Sequence, residues 1–287
     1  AMSLKIKAEH VKDKSVVIGY DRRFLSKEAV IWSCEIFGQQ GIKVLFVDRS
    51  SPTPLIMFYV MKHDLSYGMM VTASHNPAIY NGIKVFTRGG RDAGENQTAD
   101  IEKYLEQAEK LYVPDPEENG QMPPHAYQEL VKSGRVVEMN PMNEYLDNII
   151  SLINLDAIRE RDLRIAIDPM YGVSLTALCT ILSIARCTVE TINSQHDTLF
   201  GGKMPAPTES TLRSLQNYVL DRYCDIGIAT DGDADRLGVI DDKGHYLHAN
   251  TILVMLYYYL LKYRGWRGPA VRNLSTTHVL DKVAESF

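Results

Sequence analysis

Apolar residues recur in short β-rich runs separated by segments of helical period, and this alternation predicts the architecture. Ser15–Tyr20 reads as a first strand, followed by a helix that Ser26 caps and that runs to about Gln39. Gly41 breaks that helix before a second strand at Lys43–Val47. Thr53-Pro54 reads as an N-cap with proline at the first helical position, opening a helix to about His63. Gly68–Thr72 and the short Ile83–Phe86 are further strands. Asp100–Leu111 reads as an amphipathic helix, and the Pro- and acid-rich Tyr112–Pro124 as a surface loop.

The pattern then starts again. A helix around Asn143–Ile153 leads to a strand at Arg164–Asp168, a helix after Gly172 and a strand at Thr188–Ile192. A helix from Thr208 to about Arg222 precedes a strand at Asp225–Thr230. A third unit begins near Gly244, with a helix at Asn250–Tyr263, a strand near Ala270–Asn273 and a helix from Thr276. The expected fold class is α/β: repeated α/β/α domains with mixed sheets covered on both faces. The expected division is 1–138, 139–243 and 244–287. Because the third unit stops at Phe287 inside a helix-like segment, a truncated chain is expected.

Composition narrows the function classes. A net charge of −5 without a clustered basic face gives no footprint for nucleic acid. The longest apolar run, Thr251–Leu261, is too short to span a bilayer, and the start has no signal-peptide core. A soluble, cytoplasmic protein is expected, with no membrane partner. Cys34, Cys179, Cys187 and Cys224 stand singly in apolar stretches and read as buried reduced thiols. Oligomeric state is not legible in the sequence.

Two loops carry candidate chemistry. Thr72-Ala73-Ser74-His75-Asn76-Pro77 follows an apolar strand, where ligands bind in open α/β sheets. A serine hydroxyl needs a base or an attached phosphate to be useful. His75 is its chain neighbour, which by itself does not make the two a nucleophile–base pair. The flanking Thr72 and Asn76 lack the glycines of a hydrolase elbow, and a plain serine turn stiffened by Pro77 is the structural alternative. Lys84 becomes interesting only if the turn folds it back over Ser74.

Asp231-Gly232-Asp233-Ala234-Asp235-Arg236 follows the apolar strand Asp225–Thr230. Three carboxylates at alternate positions repel one another unless a hard cation such as Mg²⁺ or Ca²⁺ compensates them. Arg236 adds a fork-shaped donor suited to phosphate. An EF-hand reading fails at its sixth position, which is Arg236 rather than glycine. An aspartate-nucleophile phosphatase built on Asp231, or a solvated acidic turn, remains open but leaves the serine loop unexplained.

The combination of TASHNP, YNGIK and a downstream DGDADR resembles the α-D-phosphohexomutases, the phosphoglucomutase and phosphomannomutase family. Gly19-Tyr20-Asp21-Arg22-Arg23 with Ser26 is similar to the family's early turn. Gly201-Gly202 to Pro207 and Arg272-Asn273 to Leu280 are similar to later segments. The resemblance implies four domains, of which the third is incomplete here and the fourth absent. It implies that Ser74 is a phosphoserine completing the coordination of Mg²⁺ held by Asp231, Asp233 and Asp235. It assigns His75 and Lys84 to proton transfer and substrate contact, and Arg236 with Asn76 to substrate phosphate. It further implies hexose phosphate substrates, a 1,6-bisphosphate intermediate, and a glucose 1,6-bisphosphate-type activator. The Tyr80–Lys84 spelling leans toward the phosphoglucomutase/phosphomannomutase branch rather than the phosphoglucosamine branch. An inactive metal- and phosphate-binding fragment of such an enzyme is the alternative.

Overall fold

The structure is a computed structural model that describes residues 1–9, 14–111 and 126–287. The Tyr112–Pro124 loop expected from sequence lies outside the described residues. Among the described residues, eleven strands form two separate sheets. The first contains β1 (Val16–Tyr20), β2 (Val44–Val47), β3 (Tyr67–Val71), β4 (Ile83–Thr87), β5 (Arg91–Asp92) and β6 (Val136–Met139). The second contains β7 (Arg164–Asp168), β8 (Thr188–Thr191), β9 (Ile226–Thr230), β10 (Leu237–Asp241) and β11 (Tyr246–Leu247).

Strand order in the first sheet is β5-β4-β3-β1-β2-β6, and in the second β11-β10-β9-β7-β8. In the first, β1 pairs in parallel with β2 and β3, while β4 runs antiparallel to β3. In the second, β7 pairs in parallel with β8 and β9, while β10 runs antiparallel to β9. The mixed α/β character expected from the alternating pattern is therefore observed.

β1 and β3 are buried along their whole length, as continuous apolar strands covered on both faces must be. One face of the first sheet packs on the Ser26–Gln39 helix through Val30, Cys34 and Phe37, and the other on the Thr53–Lys62 helix through Leu55, Ile56 and Val60. The second sheet packs on the Arg213–Asp221 helix through Leu215 and Val219 and on the Leu175–Ile184 helix through Leu178 and Leu182. In both sheets the chain visits one neighbour of the central strand and then crosses to the other. The switch points therefore lie beside β1–β3 and β7–β9, whose carboxyl ends carry the serine and aspartate loops.

Several local expectations are corrected. Ser26 is the first residue inside its helix rather than the cap; its hydroxyl donates to Asp21 Oδ1 at 3.1 Å. Thr53 likewise starts its helix after Pro52, with its side chain turned to Asp233. The Asp100–Leu111 helix is two helices, Glu95–Glu102 and Leu105–Leu111, and neither buries a residue that would hold one axis. The segment from Thr208 is a turn whose hydroxyls bond each other and nearby backbone, so the helix begins only at Arg213. Ala270–Asn273 forms no strand, having no ladder partner among the described residues, and the last helix is Val279–Glu285. Cys34 and Cys224 are buried, but Cys179 and Cys187 are only half-buried. No described helix is long and apolar enough to cross a membrane.

Candidate active site

Ser74 sits three residues beyond β3 in the left-handed backbone region, at φ 53°, and is 7% exposed. Its amide donates to Thr72 Oγ1 at 2.8 Å, and Thr72 in turn donates to Asp21 Oδ2 at 2.7 Å. The loop winds around the guanidinium of Arg23. Nη2 donates to the carbonyls of Ser74 and Asn76, both at 2.7 Å, and Nη1 to those of Pro77 and Tyr80 at 2.9 and 3.0 Å. Asp21 pairs with Arg23 at 3.2 Å, and both side chains are fully buried. An unusual backbone conformation is thus held by a buried, ion-paired cation.

The hydroxyl of Ser74 donates to Asp231 Oδ2 at 3.0 Å, across 157 residues of sequence. The two loops therefore meet. Asp231 is completely buried, and its Oδ1 accepts the amides of Asp235 and Arg236, each at 3.0 Å, which curls the loop around the carboxylate. Asp233 is also completely buried. Its Oδ2 accepts Thr53 Oγ1 at 2.6 Å and Lys84 Nζ at 2.7 Å, while Oδ1 is buried with no hydrogen-bond partner among the described residues. Lys84 Nζ also donates to Asp235 Oδ2 at 2.6 Å.

One carboxylate oxygen from each of Asp231, Asp233 and Asp235 lies within 4.8 Å of the other two, so the triad could hold a metal ion. The residues fit such an ion by their chemistry: they offer three hard carboxylate groups, and Asp233 keeps a buried oxygen without a hydrogen-bond partner among the described residues. Electrostatics agree. Burial, and then the charges of Asp233 and Asp235, push the Asp231 carboxyl up to about 7. Burial acts the same way on Asp233, but hydrogen bonds from Lys84 and Thr53 outweigh it and hold that carboxyl below its ordinary range.

The other sequence candidates divide. Lys84 does fold back to the site; burial opposes its charge, yet the hydrogen bonds it donates to the two carboxylates hold its pKa above the ordinary lysine value. His75 Nδ1 is buried without a hydrogen-bond partner among the described residues, and burial together with Arg236 lowers the imidazole's pKa. The serine hydroxyl is bonded to Asp231, so the structure makes no Ser74–His75 pair. Arg236 stands half-exposed, with Nε 4.0 Å from Asp231 Oδ2 and from Asp235 Oδ1. Asn76 is exposed, and its part in shaping the loop is its main-chain carbonyl.

Sequence reasoning missed Asp21, Arg23, Thr53 and Gly172 as parts of the site. Asp21 and Arg23 follow an apolar strand directly, the same signal that singled out Ser74. Gly172 needs its lack of a side chain: a Cβ there would lie 2.6 Å from the carbonyl oxygen of Gly232 and 2.9 Å from that of Asp231. No spacing rule marks that approach.

Comparison with known proteins agrees with this geometry. Residues 1–112 match the phosphoglucomutase/phosphomannomutase alpha/beta/alpha domain I, and residues 143–244 match domain II of the same family. A Pyrococcus abyssi protein named "Probable phosphoglucosamine mutase" is 32% identical over 269 residues, covering 93% of this chain and 54% of that one. The phosphoglucosamine mutase of Methanococcus vannielii is 31% identical, over 87% of this chain and 52% of its own. The chain spans about half the length of these curated relatives. Both carry the phosphoglucosamine name, the branch from which the Tyr80–Lys84 spelling leans away. A solved phosphoglucomutase/phosphomannomutase family protein from Burkholderia thailandensis superposes with a TM-score of 0.81 at 22% identity, over 99% of this chain and 58% of that one; it speaks for the fold. Two matched domains in order, and two sheets whose loops meet as the motifs require, lead to one conclusion: the chain belongs to the α-D-phosphohexomutase family.

Proposed function

We infer that this chain contributes the phosphoryl-transfer centre of a Mg²⁺-dependent mutase interconverting hexose 1-phosphate and hexose 6-phosphate. The observation that carries the reading is the 3.0 Å contact between Ser74 Oγ and Asp231 Oδ2, which joins a hydroxyl to a triple-carboxylate loop. In this reading Ser74 is the phosphoryl carrier, and Asp231, Asp233 and Asp235 would hold the ion. Bound Mg²⁺ supplies positive charge that offsets the transferring phosphoryl group and eases departure of the serine oxygen. A hexose 1,6-bisphosphate is both the intermediate and the activator that charges Ser74. The division into 1–138, 139–243 and an opening third unit at 244–287 follows the same family plan.

The protein's own groups then have separable tasks. The hydroxyl of the sugar must lose a proton as it attacks, and His75 and Lys84 are the candidates to take it. They differ in state: the His75 imidazole is kept neutral, whereas Lys84 is held as an ammonium between two carboxylates. His75 is therefore assigned as acceptor and Lys84 as the counter-charge that lowers the Asp233 pKa and pairs with Asp235. Arg236 and the exposed Asn76 side chain offer donors to the substrate's phosphate. The aspartate-nucleophile phosphatase is disfavoured because both Asp231 oxygens are already engaged, one by two backbone amides.

The experiment is intact mass after incubation with Mg²⁺ and glucose 1,6-bisphosphate, paired with a coupled assay on glucose, mannose and glucosamine phosphates. The expected result is a gain of about 80 Da that Ser74→Ala abolishes, as expected for one phosphoryl group. Asp233→Asn should lose Mg²⁺ and phosphoryl uptake together. Uptake that survives Ser74→Ala, or an acyl phosphate on Asp231, sinks the assignment. Phosphoryl uptake without turnover favours the inactive-fragment reading.

A further inference from the structure

We propose that Arg22 is a positioning residue: through the Tyr171–Gly172 turn it sets the reach between Ser74 and the aspartate loop. The inference rests on the proposed function for the meaning of that distance. Neighbouring arginines at the end of β1 face opposite ways. Arg23 grips the serine loop through the four carbonyls described above. Arg22 reaches into the other half of the molecule, where its Nη1 lies 3.2 Å from the carbonyl of Tyr171 and 3.3 Å from those of Ser194 and Gln195. One dipeptide thus holds both halves by main-chain oxygens.

The grip on Tyr171 is transmitted. Tyr171 is in the left-handed region at φ 64°, its amide donates to Asn193 O at 2.8 Å, and the next residue is Gly172. The close approach of Gly172 to Gly232 and Asp231 leaves no slack, and Val173 N donates to Gly232 O at 3.2 Å. A shift of Tyr171 therefore moves the aspartate loop. Phe200 closes the circuit from the Arg23 side: its ring lies 5.0 Å beneath the guanidinium, and a Cβ on Gly232 would be 3.3 Å from its edge. The other links to the aspartate loop come from Ser74, Thr53 and Lys84 and end on that loop itself, on its carboxylates and, from the Thr53 amide, on the Asp233 carbonyl at 2.9 Å. Arg22 touches none of them, so its effect on the site is indirect.

The test is Mn²⁺ binding to the whole chain, followed by electron paramagnetic resonance, in the parent, Arg22→Gln, Arg22→Lys and Gly172→Ala proteins, each with and without Ser74→Ala. Arg22→Gln is expected to weaken Mn²⁺ binding about tenfold, the scale of residues that orient metal ligands from outside. Arg22→Lys, which keeps a cationic donor, restores it. Ser74→Ala weakens binding in the parent but has little further effect with Arg22→Gln, because the serine has already lost its reach. Gly172→Ala pushes the same loop from the other side and gives the same loss, which decides the matter if Arg22→Gln does not fold. Parental Mn²⁺ affinity in folded Arg22→Gln, or equal Ser74→Ala effects in both backgrounds, overturns the positioning role. If the parent itself binds no Mn²⁺ through Asp233, the proposed function fails instead, a distinct result.

Discussion

Asp231 concentrates the conflict between folding and function in one side chain. It is completely buried beside two other carboxylates, and its pKa rises from 3.8 to about 7. Because the folded value lies above the unfolded one, the folded chain binds the extra proton. The stabilisation from this proton is full below about pH 4 and fades as the pH climbs toward 7. An asparagine can keep the two amide bonds on its oxygen and turn its NH₂ toward Ser74. Asp231→Asn should therefore raise the metal-free melting temperature at pH 8 by ~2–4 °C, flatten its decline between pH 4 and 7, and abolish the rise on adding Mg²⁺. A melting curve that still falls with pH in the variant would place the titration elsewhere.

At the scale of elements, the hydrophobic rhythm located most strands and helices, and the departures lie where side chains serve the site. The Arg164–Asp168 strand is where the apolar pattern puts it, because every residue after Arg164 is buried. Thr53-Pro54 reads as a cap, yet Thr53 spends its hydroxyl on Asp233, 180 residues away, where no local rule looks. The same holds for Ser26 and Asp21. Motif spelling made the carboxylates and Ser74 legible, whereas the arginines and Gly172 act through backbone atoms that leave no pattern of side-chain type. The difference is measurable. Thr53→Val should cost about 1.5–3 kcal/mol in metal-free stability, the scale of a hydrogen bond to a charged group. A cap would lose a similar amount whatever the partner, but this loss should vanish in an Asp233→Asn background. Lys84, carried on β4, compensates the same carboxylate: Lys84→Met should destabilise the metal-free chain by ~1–3 kcal/mol and the Mg²⁺-loaded chain by less. Equal losses with and without Mg²⁺, measured by urea titration, would count against this.

The whole molecule is one plan used twice. β1, β2, β3, β4 and β5 take the same places in the first sheet as β7, β8, β9, β10 and β11 in the second. The central strands of both lead into an aspartate, Asp21 just after β1 and Asp168 at the end of β7, whose Oδ1 accepts the amide two residues on: Asp21 from Arg23 and Asp168 from Met170. The register pairs Tyr20 with Val71, so its next step sets Asp21 beside Thr72, two residues before Ser74. Asp168 pairs with Ala229, two residues before Asp231. Ser74 and Asp231 are thus equivalent corners of two repeats that share no strand. Hydrogen exchange should accordingly report two separable protection levels for the sheets without metal, converging on one when Mg²⁺ is added. Levels that stay apart at saturating Mg²⁺ would show that the ion does not bridge the halves.

The four carbonyls gathered on Arg23 have an evolutionary corollary. A turn pinned by its peptide oxygens asks nothing of the side chains at Ile79 or Tyr80, and Ile79 is 85% exposed. Selection can rewrite that outward rim while the Ser74 hydroxyl it frames keeps its contact with Asp231.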